Sequence, residues 1–497
     1  MMKAMFEELI EKVSRGLIVR THSGRVQPGE AFLALPSTGG KSGLDFVDQA
    51  IERGATWVVT GESGADMAST DTDGVYWVVV DDVRAALGRL ATAHFNTRIL
   101  PFPLVGVTGT NGKTTVCHLL EHLFRATGRY TGLLGTIRER WPGEDRPAEL
   151  TTQGCWELHE CMAAMIDAGV EAAFMEVSSH ALDQNRVAGL QFACAVLTNL
   201  TQDHLDYHKD MESYGQAKAI LFENLPEADK YSVLNWDDEF GRTLLPRVVN
   251  PVGYGMGEMP ETILRNDGWG LAGSLVKSSI DGMVLAVECM GGPYDGDGFN
   301  LQTGLVGAYN AHNLLAAMAA GLSLGLHPDD LSALANFHGV PGRLERVAAS
   351  SGLNIFVDYA HTPDALDNVL REMRPLTEGK LVTVFGCGGD RDRTKRPLMA
   401  QAACKYSDIV VLTSDNPRTE DPQAILDDVS AGKAGCAESV TEVDRRKAIG
   451  IALDLVRPGD ALLVAGKGHE DYQIIGREKR PFSDQAVIRE YLEGEIA

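Results

Sequence analysis

One segment of the chain carries the residue types needed to hold a phosphate. GVTGTNGKTT, at 106–115, follows the apolar run 104–107, and apolar residues recur with a helical period after Lys113. A loop between a strand and a helix start offers backbone N–H groups and the positive helix end to a phosphate. There Lys113 would reach the outer phosphates of a nucleotide and Thr114 would ligate Mg²⁺. We therefore predict an ATP site at Gly109, Thr110, Asn111, Gly112, Lys113, Thr114 and Thr115.

The glycine spacing of this segment departs from the common phosphate loop, G-x-x-x-x-G-K-[ST]. Val107 stands where the first glycine belongs, and the nearest earlier glycine to Gly112 is Gly109. Because Gly109 can make the tight turn, we predict a shorter arch that still holds a nucleoside triphosphate. The alternative is an ordinary glycine-rich turn that contains Gly-Lys-Thr by chance.

Composition and charge exclude several classes of protein. The 497 residues carry a formal net charge of -24, which disfavours a nucleic-acid partner. The acidic N-terminal segment does not fit a signal peptide, and no apolar run is long enough for a membrane span. Eight scattered cysteines without a C-x-x-C pair fit reduced thiols better than disulfides or a zinc site. We expect a cytoplasmic monomer that uses small-molecule substrates.

Alternating strands and helices predict an α/β fold with mostly parallel, doubly wound sheets. Proline-containing stretches at 97–103 and 338–343 read as linkers and divide the chain into three domains, 1–98, 99–340 and 341–497. The middle domain would be a P-loop ATPase and the last one Rossmann-like. A hairpin is predicted at 274–289, with Asp281-Gly282 at its turn.

Polar clusters follow the predicted strands directly, at the edge where open α/β sheets bind ligands. Seven segments, most of them among these clusters, together resemble the Mur ligases, the ATP-dependent amide-forming enzymes of peptidoglycan synthesis, and more distantly the folylpolyglutamate synthetases. They are TGTNGKTT (108–115), EVSSHAL (176–182), GAYNAHN (307–313), PGRLE (341–345) with DYAHTPD (358–364), DNPR (415–418) and GKGHEDYQ (466–473). The resemblance runs through all three predicted domains in order, which makes it more specific than any single motif.

The resemblance implies a UDP-sugar-binding domain, a central ATP-binding domain and a C-terminal domain for an incoming amino acid. The implied reaction joins meso-diaminopimelate to UDP-N-acetylmuramoyl-L-alanyl-D-glutamate through an acyl phosphate, with ATP and Mg²⁺. It would serve cell-wall biogenesis, and through it cell shape and division. Two alternatives within enzymes are an L-lysine-adding ligase of the same family and a folylpolyglutamate synthetase. An ATP-dependent binding or switch module that closes without ligating is the alternative from another class.

For the chemistry, the resemblance implies catalytic roles for Lys113, Glu176 and Lys218. The metal ligands would be Thr114, Glu176, His204 and Lys218, the last in carbamylated form. Read from the residues alone, Glu176 could be a buried or capping glutamate, His204 a loop histidine and Lys218 a solvent-exposed helix lysine. Neither His208 nor Asp206 receives a role.

The resemblance also implies two sets of contacts to the substrates. The UDP-substrate would be held by Ser23, Thr151, Thr152, Ser178, Gln184 and Arg186. Besides the loop, ATP would be held by Asn310, Arg343, Asp358 and His361. Ser23 could equally be a turn serine. The chain has Gln153 where the family commonly has proline, so the resemblance does not define the geometry of the loop at Thr151 and Thr152.

The segment DNPR bears most directly on the amino acid that is added. Diaminopimelate differs from lysine by a carboxylate at its far end, and Arg418 could bind that carboxylate with two hydrogen bonds. By resemblance the pocket comprises Arg391, Asp415, Asn416, Pro417, Arg418, Gly466 and Glu470, with Glu470 on the distal ammonium. Arg393 is an alternative to Arg391, and DNPR could be no more than a type I turn.

Overall fold

The structure is a computed structural model that describes residues 2–37, 40–67, 74–223, 225, 230–264, 268–347 and 352–494. The chain forms two compact units. The first comprises Met1–Leu271, Met290–Asp295 and Ala316–Leu331, and the second comprises Ala272–Cys289, Gly296–Leu315 and Ser332–Ala497.

The first unit begins with a small sheet whose four strands are parallel and follow one another in sequence order. They are β1 (Val19–Arg20), β2 (Ala31–Leu33), β3 (Trp57–Thr60) and β4 (Tyr76–Val79). Its helices are α1 (Met2–Ser14), α2 (Val47–Glu52) and α3 (Val83–Phe95). The Asp82 carboxylate accepts hydrogen bonds from two backbone amides at the start of α3, which fixes where that helix begins.

Eight strands of an eleven-stranded sheet lie wholly in the first unit. They are β5 (Leu104–Thr108), β6 (Thr131–Leu134), β7 (Arg138–Trp141), β8 (Glu144–Pro147), β9 (Ala172–Glu176), β10 (Cys194–Leu197), β11 (Tyr231–Asn235) and β12 (Pro251–Met256). Their order is β12-β11-β10-β5-β9-β6-β7-β8, parallel from β12 to β6 and antiparallel beyond. Its helices are α4 (Lys113–Ala126), α5 (Cys155–Asp167), α6 (Ser179–Asp183), α7 (Leu205–His208), α8 (Met211–Glu223), α9 (Glu239–Leu244) and α10 (Glu261–Leu264).

The central strands of this sheet are buried along their whole length, as in parallel sheets covered on both faces. Their register sets Val107 of β5 opposite Glu176 of β9, and Thr108 opposite Leu197 of β10. The carboxyl ends of the three strands therefore meet at one edge, where an open α/β sheet binds its ligands.

Helix α3 packs on α5 and so joins the two sheets of the first unit. A Cβ atom on Gly88 would lie only 2.5 Å from the Cβ of Ala188, so the absence of a side chain permits this close approach. The ring of Trp156 in α5 lies 4.9 Å from that of His94 and 5.0 Å from that of Phe95. The first 95 residues and the larger sheet thus share one packed boundary.

The chain passes between the units at five points, and three of these lie within β13 (Trp269–Ser279), β14 (Gly282–Met290) and α11 (Ala308–Ser323). The second unit also contains β15 (Gly298–Thr303), which pairs antiparallel with β14. Its other strands are β16 (Glu345–Arg346), β17 (Asn354–Asp358), β18 (Leu381–Cys387), β19 (Ile409–Ser414), β20 (Glu438–Thr441), β21 (Ala461–Ala465), β22 (Tyr472–Ile475) and β23 (Glu478–Pro481). Its other helices are α12 (Pro363–Met373), α13 (Lys395–Tyr406), α14 (Pro422–Ser430), α15 (Arg445–Leu455) and α16 (Asp484–Leu492).

The main sheet of the second unit has the order β16-β17-β21-β18-β19-β20, and only β16 pairs antiparallel. Apolar cores lie on both faces of this sheet, and β22 and β23 form a separate hairpin. The predicted α/β class with mostly parallel sheets is confirmed, as are the helix after Lys113 and the hairpin at Asp281-Gly282. The division into three domains stays a prediction, since the first compact unit includes the predicted domain 1–98 together with most of the predicted domain 99–340.

The cysteines depart in part from expectation. Cys404 and Cys436 form a disulfide between α13 and the segment before β20, so the prediction that all thiols are reduced is wrong for this pair. The two are 32 residues apart, a separation without a sequence signature. The other cysteines, all in described segments, are free and buried. In the described part of the chain, no helix has the length and apolar character to cross a bilayer.

Candidate active site

The predicted phosphate loop lies between β5 and α4. Gly112 has a φ of 88° at the helix start and Gly109 a φ of 143°, both in the region that favours glycine. A Cβ atom on Gly109 would also lie 1.9 Å from Thr198 Oγ1. The Lys113 ammonium donates to the carbonyl oxygens of Gly109 and Thr110, at 2.8 Å each. The loop is thus the shorter arch that the sequence predicts.

The segment after β10 fixes the shape of this loop. The amides of Thr110 and Asn111 donate to the backbone and side-chain oxygens of Asn199, at 2.8 and 3.0 Å. In return, the Thr198 hydroxyl donates to the Asn111 carbonyl at 2.6 Å. The hydroxyl of Thr110 lies 3.0 Å from the carbonyl of Thr201. Sequence reasoning gave Thr198, Asn199 and Thr201 no role, although they belong to TNLTQDH, a polar cluster that follows a strand.

Glu176 ends β9 facing the start of α4. Its Oε2 accepts from the hydroxyls of Thr114 and Thr136, at 3.0 and 3.1 Å, and its Oε1 from the Thr136 amide at 2.8 Å. The carboxylate is buried, and a Cβ atom on Gly135 would clash with it at 2.4 Å. Thr114 and Glu176 are the hard oxygen donors that Mg²⁺ prefers, so the residues present fit that ion.

A chain of hydrogen bonds connects Glu176 to the predicted substrate residues. Thr152 Oγ1 donates to the Glu176 carbonyl at 2.8 Å and accepts from the Ser178 amide at 3.0 Å. Arg186 Nη1 donates to the Thr152 carbonyl at 3.0 Å, and the Arg186 guanidinium also donates to Gln184 Oε1. Thr151 is connected to Glu176 through Thr136, because the Thr136 hydroxyl donates to Glu176 and lies 3.1 Å from the Thr151 hydroxyl.

The loop of Thr151 and Thr152 does not contain the proline common in the resembling family. Instead the Gln153 side chain is buried and its amide donates to Glu139 Oε1 in β7. Glu139 is in turn paired with Arg146 at 2.7 Å. A side-chain hydrogen bond therefore anchors the loop at the position where proline would stiffen it.

A cleft of about 360 Å³ in the first unit lies between the small sheet and the 154–186 region. Three of the residues predicted to hold the UDP-substrate line this cleft, namely Ser23, Gln184 and Arg186. Lys41 and Arg84 add two cations and Trp156 an aromatic ring. Ser23 is buried, and its hydroxyl donates to Gln49 Oε1 at 2.6 Å. Thr151, Thr152 and Ser178 lie outside this lining, at the Glu176 end of the hydrogen-bonded chain.

Lys218 is buried in α8, so the alternative of a solvent-exposed helix lysine is wrong. Its Nζ donates to the Gly109 carbonyl at 2.8 Å and lies 4.3 Å from the centre of the Tyr214 ring. The Tyr214 hydroxyl is 3.2 Å from Thr110 Oγ1. Burial, and next the Lys113 ammonium, lower the pKa of Lys218 well below its usual value. Lys218 and the phosphate loop thus form one cluster.

His204 lies at the start of α7, with a φ of 53° and its side chain about half exposed. Its ring meets those of His180 and Tyr214 edge-on, at 4.9 and 6.1 Å. Tyr214 therefore lies between His204 and Lys218. Within the described residues, no three His, Cys, Asp or Glu side chains are grouped as a metal site. Most ligands of any Mg²⁺ here would accordingly be phosphate oxygens and water.

The remaining nucleotide residues predicted from sequence lie in the second unit. Asp358 is buried at the end of β17 and accepts from the Leu344 and Ala360 amides, at 2.6 and 2.8 Å. The Arg343 guanidinium lies 4.8 Å from the centre of the Tyr359 ring, and the His361 ring lies tilted against the same ring, with 4.6 Å between ring centres. These residues form one group around Tyr359. Asn310 is buried in α11, where its amide donates to the Val306 carbonyl at 2.8 Å.

The Arg418 amide does not close a turn over DNPR onto the Asp415 carbonyl, because Arg418 forms an isolated β-bridge with Ile475. Arg418 has a φ of 50°, in the left-handed region. Its amide donates to the Ile474 carbonyl at 3.1 Å, and its Nη1 to the Gly389 carbonyl at 2.8 Å. Strained backbone of this kind persists where surrounding contacts hold it, often at ligand sites.

Four further predicted residues, Asp415, Asn416, Gly466 and Glu470, lie close together near Arg418. Asp415 and Asn416 are buried, and Asn416 Nδ2 donates to Glu470 Oε2 at 3.0 Å. Gly466 has a φ of 116°, and a Cβ atom there would lie 4.0 Å from the Asp415 carboxylate. Lys467, which sequence reasoning missed, lies among the same carboxylates with no solvent exposure. A loop lysine next to two glycines gave no signal of its burial.

The three arginines after β18 have different surroundings. Arg393 pairs with Asp428 at 2.9 Å, and the fully buried Arg396 pairs with both Asp428 and Glu420 at 2.8 Å. Hydrogen bonding from Arg396 lowers the pKa of Glu420 to about 2. Arg391 is exposed and lies against Gly388. A Cβ atom on Gly388 would lie 3.8 Å from Arg391 Cγ and 2.9 Å from Arg418 Nη1. Arg391 rather than Arg393 therefore accompanies Arg418.

Family comparisons agree with this arrangement. Residues 107–321 match the Mur ligase middle domain, and residues 342–468 match the Mur ligase glutamate ligase domain. The UDP-N-acetylmuramoyl-L-alanyl-D-glutamate--2,6-diaminopimelate ligase of Lawsonia intracellularis is 48% identical over 99% of this chain and 98% of its own. The ligase of the same name from Synechococcus elongatus is 44% identical over 95% of this chain and 93% of its own.

A solved structure of a UDP-N-acetylmuramoyl-L-alanyl-D-glutamate--2,6-diaminopimelate ligase has the same fold. It superposes with a TM-score of 0.67 at 32% identity, and the match covers 96% of this chain and 94% of that one. Sequence similarity over nearly the whole length and the matching domain models lead to one conclusion. This chain belongs to the Mur ligase family.

Proposed function

We propose that the chain is an ATP-dependent ligase that joins meso-diaminopimelate to UDP-N-acetylmuramoyl-L-alanyl-D-glutamate in the cytoplasmic synthesis of peptidoglycan precursors. One observation carries the proposal: the continuous contact from the cleft to the phosphate loop, through Arg186, Thr152, Glu176 and Thr114. A substrate bound along this path would have its diphosphate near Arg186 and its glutamyl end near Glu176. The relatives named above, whose names contain both substrates, support this choice.

In this proposal the glutamyl carboxylate attacks the γ-phosphorus of ATP, and ADP leaves. The amine of diaminopimelate then attacks the acyl phosphate and expels inorganic phosphate, so that an amide bond forms. Lys113 leaves its two loop carbonyls to contact the outer phosphates, and the loop amides hold the others. Thr114 and Glu176 would hold Mg²⁺, which supplies charge neutralisation during phosphoryl transfer.

Lys218 is proposed to act in carbamylated form. A neutral amine adds to CO₂ with formation of an N–C bond and loss of one proton, and the lowered pKa of Lys218 favours that neutral amine. The resulting anion would lie near Lys113, because both lysines contact the Gly109 carbonyl. With His204, it would serve a second Mg²⁺.

The second unit would supply the other contacts. Arg343, Asp358 and His361 surround Tyr359 and are proposed to bind the nucleotide together with Asn310. Arg391 and Arg418 would bind the far carboxylate of diaminopimelate, and Asp415, Asn416, Gly466 and Glu470 its ammonium end. The pair of arginines disfavours the lysine-adding alternative, because lysine has no carboxylate at that end. We further propose a monomer with domains at 1–98, 99–340 and 341–497.

Phosphate release distinguishes the candidates. With ATP, Mg²⁺ and the UDP-muramoyl dipeptide, we expect rapid phosphate release on addition of meso-diaminopimelate and little on addition of L-lysine. A folate substrate with glutamate should give none. Preference for lysine or folate would overturn the assignment, and ATP binding without phosphate release under any of these conditions would favour the switch module.

A further inference from the structure

Lys467 has no role in the function proposed above, yet its ammonium lies at the centre of the proposed amino-acid pocket. The side chain is fully buried. Its Nζ is 3.1 Å from Asp415 Oδ1 and 3.5 Å from Glu470 Oε2, and it donates to the Asn416 side chain at 3.1 Å. It also donates to the Tyr472 carbonyl at 2.8 Å. A buried ammonium is stable only when such partners compensate its lost hydration.

The contact with Asp415 is an ion pair without a regular hydrogen bond. Asp415 Oδ1 is buried and, within the described residues, accepts no hydrogen bond of good geometry, although Lys467 Nζ is 3.1 Å away. Lys467 therefore acts on this carboxylate mainly through its charge, and it weakens the attraction of Asp415 for a second cation nearby.

Lys467 gives the pocket an excess of positive charge. Asp415 and Glu470 supply two negative charges, whereas Lys467, Arg391 and Arg418 supply three positive ones. Arg445, a further buried cation, pairs with the buried carboxylate of Asp484 at 2.7 Å. Without Lys467 the charges would balance, and the two carboxylates would attract an isolated ammonium more strongly. With Lys467 the pocket suits a group that carries both an ammonium and a carboxylate.

We propose that Lys467 is a specificity-determining residue, whose fixed charge tunes the pocket for the zwitterionic far end of the amino acid and against a lone ammonium. This inference rests on the proposed function. Arg418 attracts the extra carboxylate, whereas Lys467 weakens the attraction that Asp415 and Glu470 exert on lysine. Selectivity then depends on a repulsive element as well as an attractive one.

The test compares kcat/KM for meso-diaminopimelate with kcat/KM for L-lysine in amide formation. Replacing Lys467 by methionine keeps the volume and removes the charge, so we expect the preference for diaminopimelate to fall by about tenfold or more. The double variant Lys467→Met, Glu470→Gln removes one charge of each sign and should recover most of the preference. Lys405→Met, a change of an exposed helix lysine, is the matched control and should leave the preference unchanged.

A merely structural role for Lys467 predicts a different pattern. Both substrates would then lose activity in the same proportion, so the ratio of their kcat/KM values would not change, and that result overturns the inference. A fall in the ratio that the double variant does not reverse overturns it too. Should Lys467→Met fail to fold, the double variant and Glu470→Gln alone decide. Glu470→Gln increases the excess of positive charge and should raise the preference for diaminopimelate, and an unchanged or lower preference contradicts the inference. Wild-type protein without activity on diaminopimelate would instead reject the proposed function.

Discussion

Lys113 and Lys218 donate to the same atom, the carbonyl oxygen of Gly109, at 2.8 Å each. The two residues lie on different helices, yet their ammonium groups share one acceptor in the phosphate loop. The burial of Lys218, and next the nearby Lys113 ammonium, disfavour a positive charge on Lys218, which is why its pKa is lowered well below its usual value. Loop geometry and the state of Lys218 are therefore linked.

Replacement of Lys113 by alanine should abolish ATP turnover. The variant loses the cation that contacts the outer phosphates, and single donors of this kind are worth about 10²–10³ in kcat. Phosphate release under saturating substrates measures the effect. Arg125→Ala, an exposed change in the last turn of the same helix, should stay near wild type. Full activity of the Lys113→Ala variant would show that the 109–115 loop is not the phosphate-binding loop of an ATP site.

Replacement of Lys218 by alanine should also inactivate the enzyme, but short-chain carboxylic acids should restore part of the activity. The cavity left by the side chain can admit a small carboxylate, which would stand in for the carbamate. The measurement is kcat as a function of added acetate or propionate. Lys113→Ala serves as the control and should show no recovery, since it lacks a cation. The carbamate assignment fails if Lys218→Ala retains wild-type activity.

Replacement of Arg418 by lysine should weaken the preference for diaminopimelate over lysine. A lysine keeps the charge but cannot form two parallel hydrogen bonds to a carboxylate, so we expect a loss of about 1.5–3 kcal/mol in discrimination. The ratio of kcat/KM values measures it. Arg393→Lys should leave the ratio unchanged, because Arg393 is engaged with Asp428. An unchanged ratio in Arg418→Lys contradicts the assigned contact.

His159 should make stability depend on pH. Its ring is buried between the Thr97 hydroxyl and the Ala188 carbonyl, at 2.5 and 2.9 Å, and burial lowers its pKa below the usual value of about 6.5. As pH falls below about 6.5, the unfolded chain binds a proton that the folded chain does not, so the free energy of unfolding decreases. That contribution is fully present above about pH 6.5 and has a slope of up to about 1.4 kcal/mol per pH unit below it.

Urea unfolding between pH 5 and 8 tests this dependence. His159→Gln should be less stable at pH 7 by about 1–2 kcal/mol, because buried hydrogen bonds are lost, and its stability should change less on acidification. His327→Gln, a change at an exposed histidine, should keep the wild-type slope. A wild-type slope in His159→Gln would show that other groups cause the acid sensitivity.

The sequence was sufficient for features encoded by neighbouring residues. The strand, loop and helix around Lys113 and the polar ends of β9 and β19 follow from local patterns. It was insufficient where contacts join distant segments. Tyr214 and Thr110 are 104 residues apart, and helical periodicity did not indicate that Lys218 faces the interior. The burial of Lys467 and the pairing of Cys404 with Cys436 likewise arise only when separate elements pack together.

The most direct test of the account is the mass of the product. With ATP, Mg²⁺, UDP-N-acetylmuramoyl-L-alanyl-D-glutamate and meso-diaminopimelate, we predict a product whose mass equals the sum of the UDP-muramoyl dipeptide and diaminopimelate less one water, formed with one ADP and one phosphate per amide. No product should form without ATP or with the Lys113→Ala variant. Unchanged substrate masses, with or without ATP consumption, would contradict the account.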